Sequence, residues 1–222
     1  GAAAIEHIDD MLFDQTKGQR PFKAAREMLE LDSKPCKSIL LVEFYEDEKD
    51  KLAEFERLGL GVRRYICKNN AEMARVWALR KAGLSLVTAC KGPARPIPGI
   101  EDAAVPVAKL PDYVERVAAL MTSLGVTGSF YGHAGSGLLH IRAKYDIHTR
   151  EGIAIYRALA EGVSQLVREF RGAISAEHGV GIERTEFMDE HVPKELLGIM
   201  AEIKKVFDPA GVMNPGKILD TK

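Results

Sequence analysis

The stretch GSFYGHAGSGLLHIRAKY, residues 128–145, joins two short apolar runs through a turn that holds three glycines. Glycine lets the backbone turn tightly because it carries no Cβ atom. The flanking runs are short and bounded by turn residues, as the strands of a sheet are. We therefore predict strands at 128–131 and 138–145 on the two sides of a glycine-rich turn.

The sequence before this stretch alternates predicted strands with predicted helices. Runs of branched and aromatic residues predict strands, and apolar residues three or four apart predict helices. The predicted strands are 38–45, which reads as buried, 62–67 and 102–109; the predicted helices are 47–58, one from an Asn69 or Asn70 cap to about 83, and 111–124; residues 91–99, with three prolines, form a loop. The opening, residues 1–34, is predicted to be helical or irregular.

The last third of the chain is predicted to be mostly helical. Thr149 can cap a helix that ends at Gly172, and Pro193 begins another that ends at Asp208. Both helices carry apolar stripes that we expect to face the core. The predicted fold is α+β: a ferredoxin-like antiparallel sheet with helices on one face over residues 1–146, followed by a helical segment at 147–222 within the same structural unit.

Composition and charge exclude several classes of protein. The 222 residues are 46% hydrophobic, and 31 Lys and Arg stand against 32 Asp and Glu, a net charge of -1. A chain without a basic surplus is not built for nucleic acid, and no apolar run or leader predicts a membrane span or a secretory signal. Cys36, Cys67 and Cys90 are widely spaced and read as reduced thiols. We expect a cytoplasmic protein, either free or peripheral at the inner face of a membrane.

Two motifs carry the candidate metal ligands. His133 and His140 flank the glycine-rich turn, and Glu177 and His178 stand together in SAEHGVG, residues 175–181. Two imidazoles and one carboxylate would suit Zn or Mn and leave positions open for a substrate, and His178 could act as a general base. The alternatives are a core histidine beside an ordinary turn, and a helix end with a surface Glu-His pair.

Two arginines are candidates for binding an anionic group. Arg80 continues an apolar helical stripe, so it needs a partner there: a substrate carboxylate, an internal acid, or water reached at the helix edge. Arg142 lies two residues after His140 and therefore on the same face of a strand, although an ordinary exposed strand arginine is the simpler interpretation. No glycine-rich dinucleotide motif or phosphate loop is present in the sequence.

Six separated motifs occur in the order of a known family. They are AIEHIDD at 4–10, WALRK at 77–81, EDAAVP at 101–106, GHAGSGLLH at 132–140, SAEHGVG at 175–181 and DPAGVMNPGK at 208–217. This order resembles the C-terminal domain of the FAD-linked oxidases and dehydrogenases of the vanillyl-alcohol oxidase superfamily. That group includes D-lactate dehydrogenase, the glycolate oxidase flavin subunit and D-2-hydroxyglutarate dehydrogenase.

The resemblance implies a function and a set of site residues. FAD would be bound mainly by an N-terminal domain or subunit that this chain does not contain, and the chain would bind a small 2-hydroxy acid that is oxidised by hydride transfer to FAD. His133, His140 and Glu177 would be the metal ligands, and His178 the base. Arg80 would hold the substrate carboxylate, and Asn214 and Lys217 would lie near the flavin. An electron acceptor would be a further partner.

The chain also departs from the family pattern. Most relatives have Asp and Asn inside the glycine turn, where this chain has Ser136 and Leu138. Either the site suits another substrate, or metal binding is weakened. Two other functions therefore stay open at this point: a non-catalytic cap or subunit-contact module, and a metal-dependent hydrolase that uses the same ligands.

Overall fold

A four-stranded antiparallel sheet organises the chain. The computed structural model describes residues 1–45, 48–89 and 91–219. The strands are β1 (Ala4–Asp9), β2 (Ser38–Glu43), β3 (Gly128–Gly132) and β4 (His140–Ala143), in the order β2-β1-β3-β4. The α-helices are α1 (Asp10–Phe13), α2 (Lys23–Met28), α3 (Glu48–Arg57), α4 (Asn70–Lys81), α5 (Gly83–Thr88), α6 (Leu110–Ser123), α7 (Arg150–Glu169), α8 (Gly181–Arg184), α9 (Met188–His191) and α10 (Lys194–Phe207). The predicted α+β class with an antiparallel sheet is confirmed.

Strand β1 lies at the centre of the sheet, where the prediction of a helical or irregular opening was wrong. It pairs with β2 along its whole length, and Ile8 faces Tyr131 of β3. Within β1 the side chains of Glu6 and Ile8 are buried, two positions apart, as the alternation of a strand requires. A buried carboxylate at Glu6 breaks the apolar alternation, which is why the sequence pattern did not indicate a strand.

The other strand predictions had mixed outcomes. β2 and β4 lie within the predicted strands, and β3 extends one residue beyond its prediction, to Gly132. β2 is an edge strand whose Leu40 is 58% exposed, so it is not buried as expected. The predicted strands at 62–67 and 102–109 are absent from the described chain: Val62 is 99% exposed, and Ala104 makes only isolated bridges to Leu138 and Ala173. After Pro106 the chain turns into a short 3-10 helix, Val107–Lys109.

Helices pack on both faces of the sheet, whereas the sequence predicted helices on one face only. Tyr131 and Ile8 join a cluster with Leu12, Leu79 and Val87 of α1, α4 and α5. On the opposite face, Phe130 and Ile141 join a larger cluster that contains the apolar stripes of α6 and α7. Successive strand residues point to opposite faces, so adjacent positions such as 130 and 131 serve two different cores.

The two long C-terminal helices differ in burial. Thr149 caps α7, as predicted, and α7 buries its apolar stripe against α6. Earlier in the chain, Asn69 caps α4, also as predicted. In α10 no residue is buried, and Ile199, Ile203 and Phe207 are 55%, 54% and 76% exposed. The expectation that both stripes face the core was therefore wrong for α10, because periodicity shows that a helix has an apolar face but not what covers it.

Two further sequence expectations concern the whole chain. Cys36 and Cys67 are free, and Cys90 lies outside the described residues. Within the described ranges, no helix is both long enough and apolar enough to cross a bilayer. The division at residues 146 and 147 stays a prediction.

Candidate metal centre

The glycine-rich turn places two histidines beside each other. His133 follows β3, the chain makes one 3-10 turn at Ala134–Ser136, and His140 begins β4. Gly137 closes this turn with φ of 76°, and a Cβ atom there would lie 1.9 Å from the carbonyl oxygen of Val105. Only glycine fits this position, and the result is that the two imidazole rings lie with centroids 5.9 Å apart.

The carboxylate of Glu177 lies among three imidazole Nε2 atoms. Its Oε1 atom is 3.0 Å from Nε2 of His133. Its Oε2 atom is 4.0 Å from Nε2 of His140 and 3.9 Å from Nε2 of His178. Four residues from two motifs, both recognised in the sequence, thus converge on one point.

Glu6 of β1 contacts the ring nitrogen of His133 that does not face Glu177, and Arg80 of α4 binds Glu6. The Nδ1 atom of His133 is 2.7 Å from Oε1 of Glu6. Arg80 donates from Nε to Oε2 of Glu6 at 2.8 Å, and its Nη2 atom lies at the same distance from that oxygen. Arg80 also stacks on Tyr131, with its guanidinium carbon 5.4 Å from the ring centroid. Of the alternatives for Arg80, the internal ion pair is the one present in the structure.

Glu101 and Arg184 support His178 in a similar way. The Nδ1 atom of His178 is 3.2 Å from Oε1 of Glu101, and Nη2 of Arg184 is 3.1 Å from the same oxygen. Burial raises the pKa of Glu101, but a hydrogen bond from the backbone of Gly99 and the guanidinium groups of Arg184 and Arg142 outweigh burial, so this pKa lies below its ordinary value. Glu101 is therefore charged near neutral pH and holds His178 with its Nε2 atom towards Glu177.

Asp102 fixes the loop that presents Glu177 and His178. Its side chain is fully buried and accepts hydrogen bonds from the hydroxyl of Ser175 and from the backbone N–H groups of Ala176, Glu177 and His178. Burial raises the pKa of Asp102, but these hydrogen bonds lower it further than burial raises it. The loop conformation thus depends on one carboxylate about 75 residues earlier in the chain.

His140 is the most buried of the three histidines. It is 6% exposed and stacks on His178, with ring centroids 5.1 Å apart and planes 7° apart. Burial and the adjacent His178 lower the pKa of His140 below its usual value. The ring is therefore neutral near pH 7, which is the form that binds a metal.

The donor set fits a divalent cation. One ligand atom each of His133, His140 and Glu177 lie within 4.8 Å of one another. Imidazole nitrogen and carboxylate oxygen are ligands for Zn and for Mn, and two histidines with one carboxylate leave coordination positions open. A second set, Asp102 with His140 and His178, also lies within this distance. It fits less well because Asp102 is already engaged by four donors.

Arg142 carries a buried guanidinium that helps to lower the pKa of Glu101 but forms no direct ion pair in the described chain. It is 7% exposed on the same face of β4 as His140, so the expectation of an ordinary exposed arginine was wrong. Its Nε atom is buried without a hydrogen bond, and among the described residues no ion pair or hydrogen bond involves its side chain. A buried charge without a partner is costly, and it indicates a position that receives an anion.

The two predicted flavin contacts, Asn214 and Lys217, lie on the C-terminal tail, far along the sequence from the three histidines of the site. Asn214 is exposed with φ of 49°, and Nζ of Lys217 donates to the carbonyl of Pro215. The tail is held by Asp208, which accepts from the backbone of residues 212 and 213, and by a hydrogen bond from Ile218 N to the hydroxyl of Thr185. Thr185 is adjacent to Arg184, so the tail joins the site through that residue.

Sequence reasoning gave no role to three residues of this site. Glu6 and Glu101 stand in the motifs AIEHIDD and EDAAVP, and Arg184 lies three residues after SAEHGVG, but the sequence indicated no function for them. The available signal was a charged residue within an apolar run: Glu6 within AIEHI, and Glu101 after PGI. Such a residue needs a buried partner, but its partner lies 74 to 127 residues away and could not be named.

Comparisons with known proteins identify the family of the chain. The family model described as FAD linked oxidases, C-terminal domain, matches residues 1–218. The chain is 29% identical to D-2-hydroxyglutarate dehydrogenase of Haemophilus influenzae, covering 100% of this chain and 23% of that protein. It is 27% identical to the glycolate oxidase subunit GlcD of Bacillus subtilis, covering 82% of this chain and 39% of that protein.

A solved structure shows the same fold. The 4-ethylphenol oxidase of Gulosibacter chungangensis, in complex with isoeugenol, superposes with a TM-score of 0.60 at 14% identity, over 97% of this chain and 47% of that one. At this identity the likeness concerns the fold alone. The chain spans about a quarter of the length of the D-2-hydroxyglutarate dehydrogenases that it matches. Because the family model matches residues 1–218, the chain belongs to the FAD linked oxidase C-terminal domain family, as its motifs predicted.

Proposed function

We propose that this chain is the substrate-binding part of an FAD-dependent oxidoreductase that oxidises a small 2-hydroxy acid. Family membership and the dehydrogenases and oxidases among its relatives support the class of reaction. The observation that carries the proposal is the position of the Glu177 carboxylate among the Nε2 atoms of His133, His140 and His178.

His133, His140 and Glu177 would hold Zn or Mn. A divalent cation in such a set polarises a bound hydroxyl group and lowers its pKa. Glu177 and His133 are 40% and 37% exposed at their side chains, so a small substrate could reach the site from solvent. This access supports a binding site rather than a closed structural metal centre.

His178 is the proposed general base. Its Nδ1 atom faces Glu101, which leaves Nε2 directed towards the ligand cluster, where it could accept the proton of a substrate hydroxyl. The adjacent carboxylate would stabilise the imidazolium that forms. Holding the base on a loop fixed by Asp102 would reduce the entropy cost of aligning it with the substrate.

Arginine side chains would bind the substrate carboxylate. Arg142 is favoured for this role because it is buried without a direct hydrogen-bonded or ion-pair partner on the face that carries His140. Arg80 offers less, because its Nε and Nη2 atoms are engaged by Glu6, so only Nη1 could contribute. A guanidinium group binds a carboxylate through two parallel hydrogen bonds, which fixes the orientation of the substrate.

FAD, bound by another domain or subunit, would accept the hydride from C2 of the substrate. We place Asn214 and Lys217 near that flavin, in keeping with the tail's attachment to Thr185 beside the site. The electron acceptor that reoxidises the flavin, and a cytoplasmic location, free or at the inner face of a membrane, stay predictions.

Metal analysis of the complete protein tests the proposal. We expect about one Zn or Mn per chain in the parent, and at least about tenfold less in His133→Ala and Glu177→Ala, because each removes a ligand. Glu54→Ala, on the exposed face of α3, is the matched control. Equal metal content in all four proteins would refute the ligand assignment, and activity that appears only with the flavin partner would exclude a hydrolase.

A further inference from the structure

We propose that Glu6 is a positioning residue for the metal centre and that Arg80 holds the Glu6 carboxylate in place for this role. The inference rests on the proposed function, because it concerns how His133 is presented to the cation. Glu6 belongs to β1, the strand that the sequence did not predict, and lies 127 residues before His133.

The contacts of His133 support this role. Its Nδ1 atom lies 2.7 Å from Oε1 of Glu6, and its Nε2 atom lies 3.0 Å from Oε1 of Glu177. A carboxylate can only accept, so Nδ1 carries the proton that it donates to Glu6. A cation between Nε2 and Glu177 would bind the lone pair of Nε2, which is available in the tautomer that carries its proton on Nδ1. Two acceptors facing each other form a favourable pair when a cation lies between them.

The burial of Glu6 explains the presence of Arg80. Glu6 is 6% exposed, and a buried carboxylate without a partner would be costly. Arg80, 9% exposed, donates to the second oxygen of this carboxylate and leaves the first one for His133. The order Arg80, Glu6, His133 therefore fixes both the tautomer and the angle of the ring, as carboxylates behind metal-bound histidines do.

Cobalt binding to the complete, metal-free protein tests this role without catalysis. Co²⁺ reports its ligand geometry through visible absorption, so affinity and spectrum are measured together. In Glu6→Gln the amide oxygen still accepts from Nδ1, and we expect affinity within about threefold of the parent. In the double variant Glu6→Leu with Arg80→Leu, both charges and the acceptor are removed, and we expect affinity about 10- to 100-fold weaker.

The double variant guards against simple misfolding. Replacing both members of a buried ion pair with apolar residues is often neutral for stability, whereas Glu6→Leu alone leaves Arg80 unpaired. Circular dichroism checks the fold, and Glu54→Gln is the control for a lost carboxylate. We expect the cobalt spectrum of the double variant to shift towards that of His133→Ala, which a purely structural role would not produce.

The outcomes separate this inference from the proposed function. If the parent binds Co²⁺ and the folded double variant binds it equally, with the same spectrum, the positioning role is refuted while the metal centre stands. If the parent binds no Co²⁺, both are refuted. Weaker binding with rescue by Glu6→Gln supports both.

Discussion

Arg142 shows how a residue without a partner can indicate function. Nearly all its surface is buried and its charge acts on Glu101, yet among the described residues no group forms a hydrogen bond or ion pair with its side chain. Arg26 differs: it is 3% exposed but donates to the carbonyl of Phe13, the hydroxyl of Thr16 and the carboxylate of Asp32. The fold has therefore satisfied one buried arginine and left the other open beside the candidate site.

We predict that Arg142→Met leaves stability unchanged or raises the free energy of unfolding by up to about 2 kcal/mol, because it removes a buried, uncompensated charge. Arg26→Met should lower it by about 3 kcal/mol, since three acceptors lose their donor. Urea unfolding of both variants and the parent measures this difference. A loss in Arg142→Met as large as in Arg26→Met would mean that Arg142 is paired in solution, and its proposed substrate role would lose its support.

The residues of the site differ in how far the sequence predicted them. His133, His140, Glu177 and His178 were named as candidates from their residue types, and the order of motifs that resembles the family assigned their roles. Their supporting carboxylates were not, because a residue acquires that role only through a partner brought close by the fold. Arg142 was named but interpreted as exposed, since its burial depends on packing that no local pattern shows.

The turn between β3 and β4 is the element on which the site depends most directly. Gly137 has φ of 76° and lies against the carbonyl of Val105, whereas Gly125, which ends α6, has φ of 68° and open space around it. The two glycines have nearly the same backbone conformation and differ only in their surroundings. They form a matched pair for separating strain from steric clash.

We predict that Gly125→Ala costs about 1 kcal/mol, the strain of a left-handed residue with a side chain. Gly137→Ala should cost at least about 2 kcal/mol more, because the new methyl group would overlap a backbone oxygen that can move only with its chain. Thermal or urea unfolding of the two variants provides the comparison. Equal losses would show that the turn relaxes freely, contrary to the tight contact described here.

Elements with local signals were predicted, and elements defined by their partners were not. The caps at Asn69 and Thr149 and the glycine at Gly125 marked helices correctly. β1 was missed because Glu6 and His7 interrupt its apolar pattern, and 62–67 was wrongly predicted because alternation alone does not supply a neighbouring strand. Strand formation requires a hydrogen-bonding partner, and that information is not local.

The outer face of α10 is the largest departure from the packing expected for the whole molecule. Helices α7 and α10 carry similar apolar spacing, but α7 is buried against α6 while Ile203 and Phe207 of α10 are more than half exposed. The pattern predicted both helices correctly. The spacing of apolar residues could not show which of the two apolar helix faces would be buried by the rest of the described chain.

We predict that Ile203→Lys combined with Phe207→Lys changes the free energy of unfolding of the chain by no more than about 0.5 kcal/mol, because these side chains bury little surface. Light scattering at raised concentration should fall, since an exposed apolar face promotes association. Leu159→Ala, on the buried stripe of α7, should instead cost about 3 kcal/mol. A large loss from the lysine pair would show that α10 packs on the domain in solution.

The separation in sequence between Glu6, His133 and Glu177 has a consequence for biosynthesis. Ribosomes make proteins from the N-terminus, and contacts between distant residues form late because closing long loops is slow. The proposed ligand set is complete only after residues 175–181, which include Glu177, have left the ribosomal exit tunnel. If the proposed ligand set holds a metal, the metal would bind only after this region has been translated, and a chain arrested before residue 177 would have the two histidines but lack the carboxylate ligand.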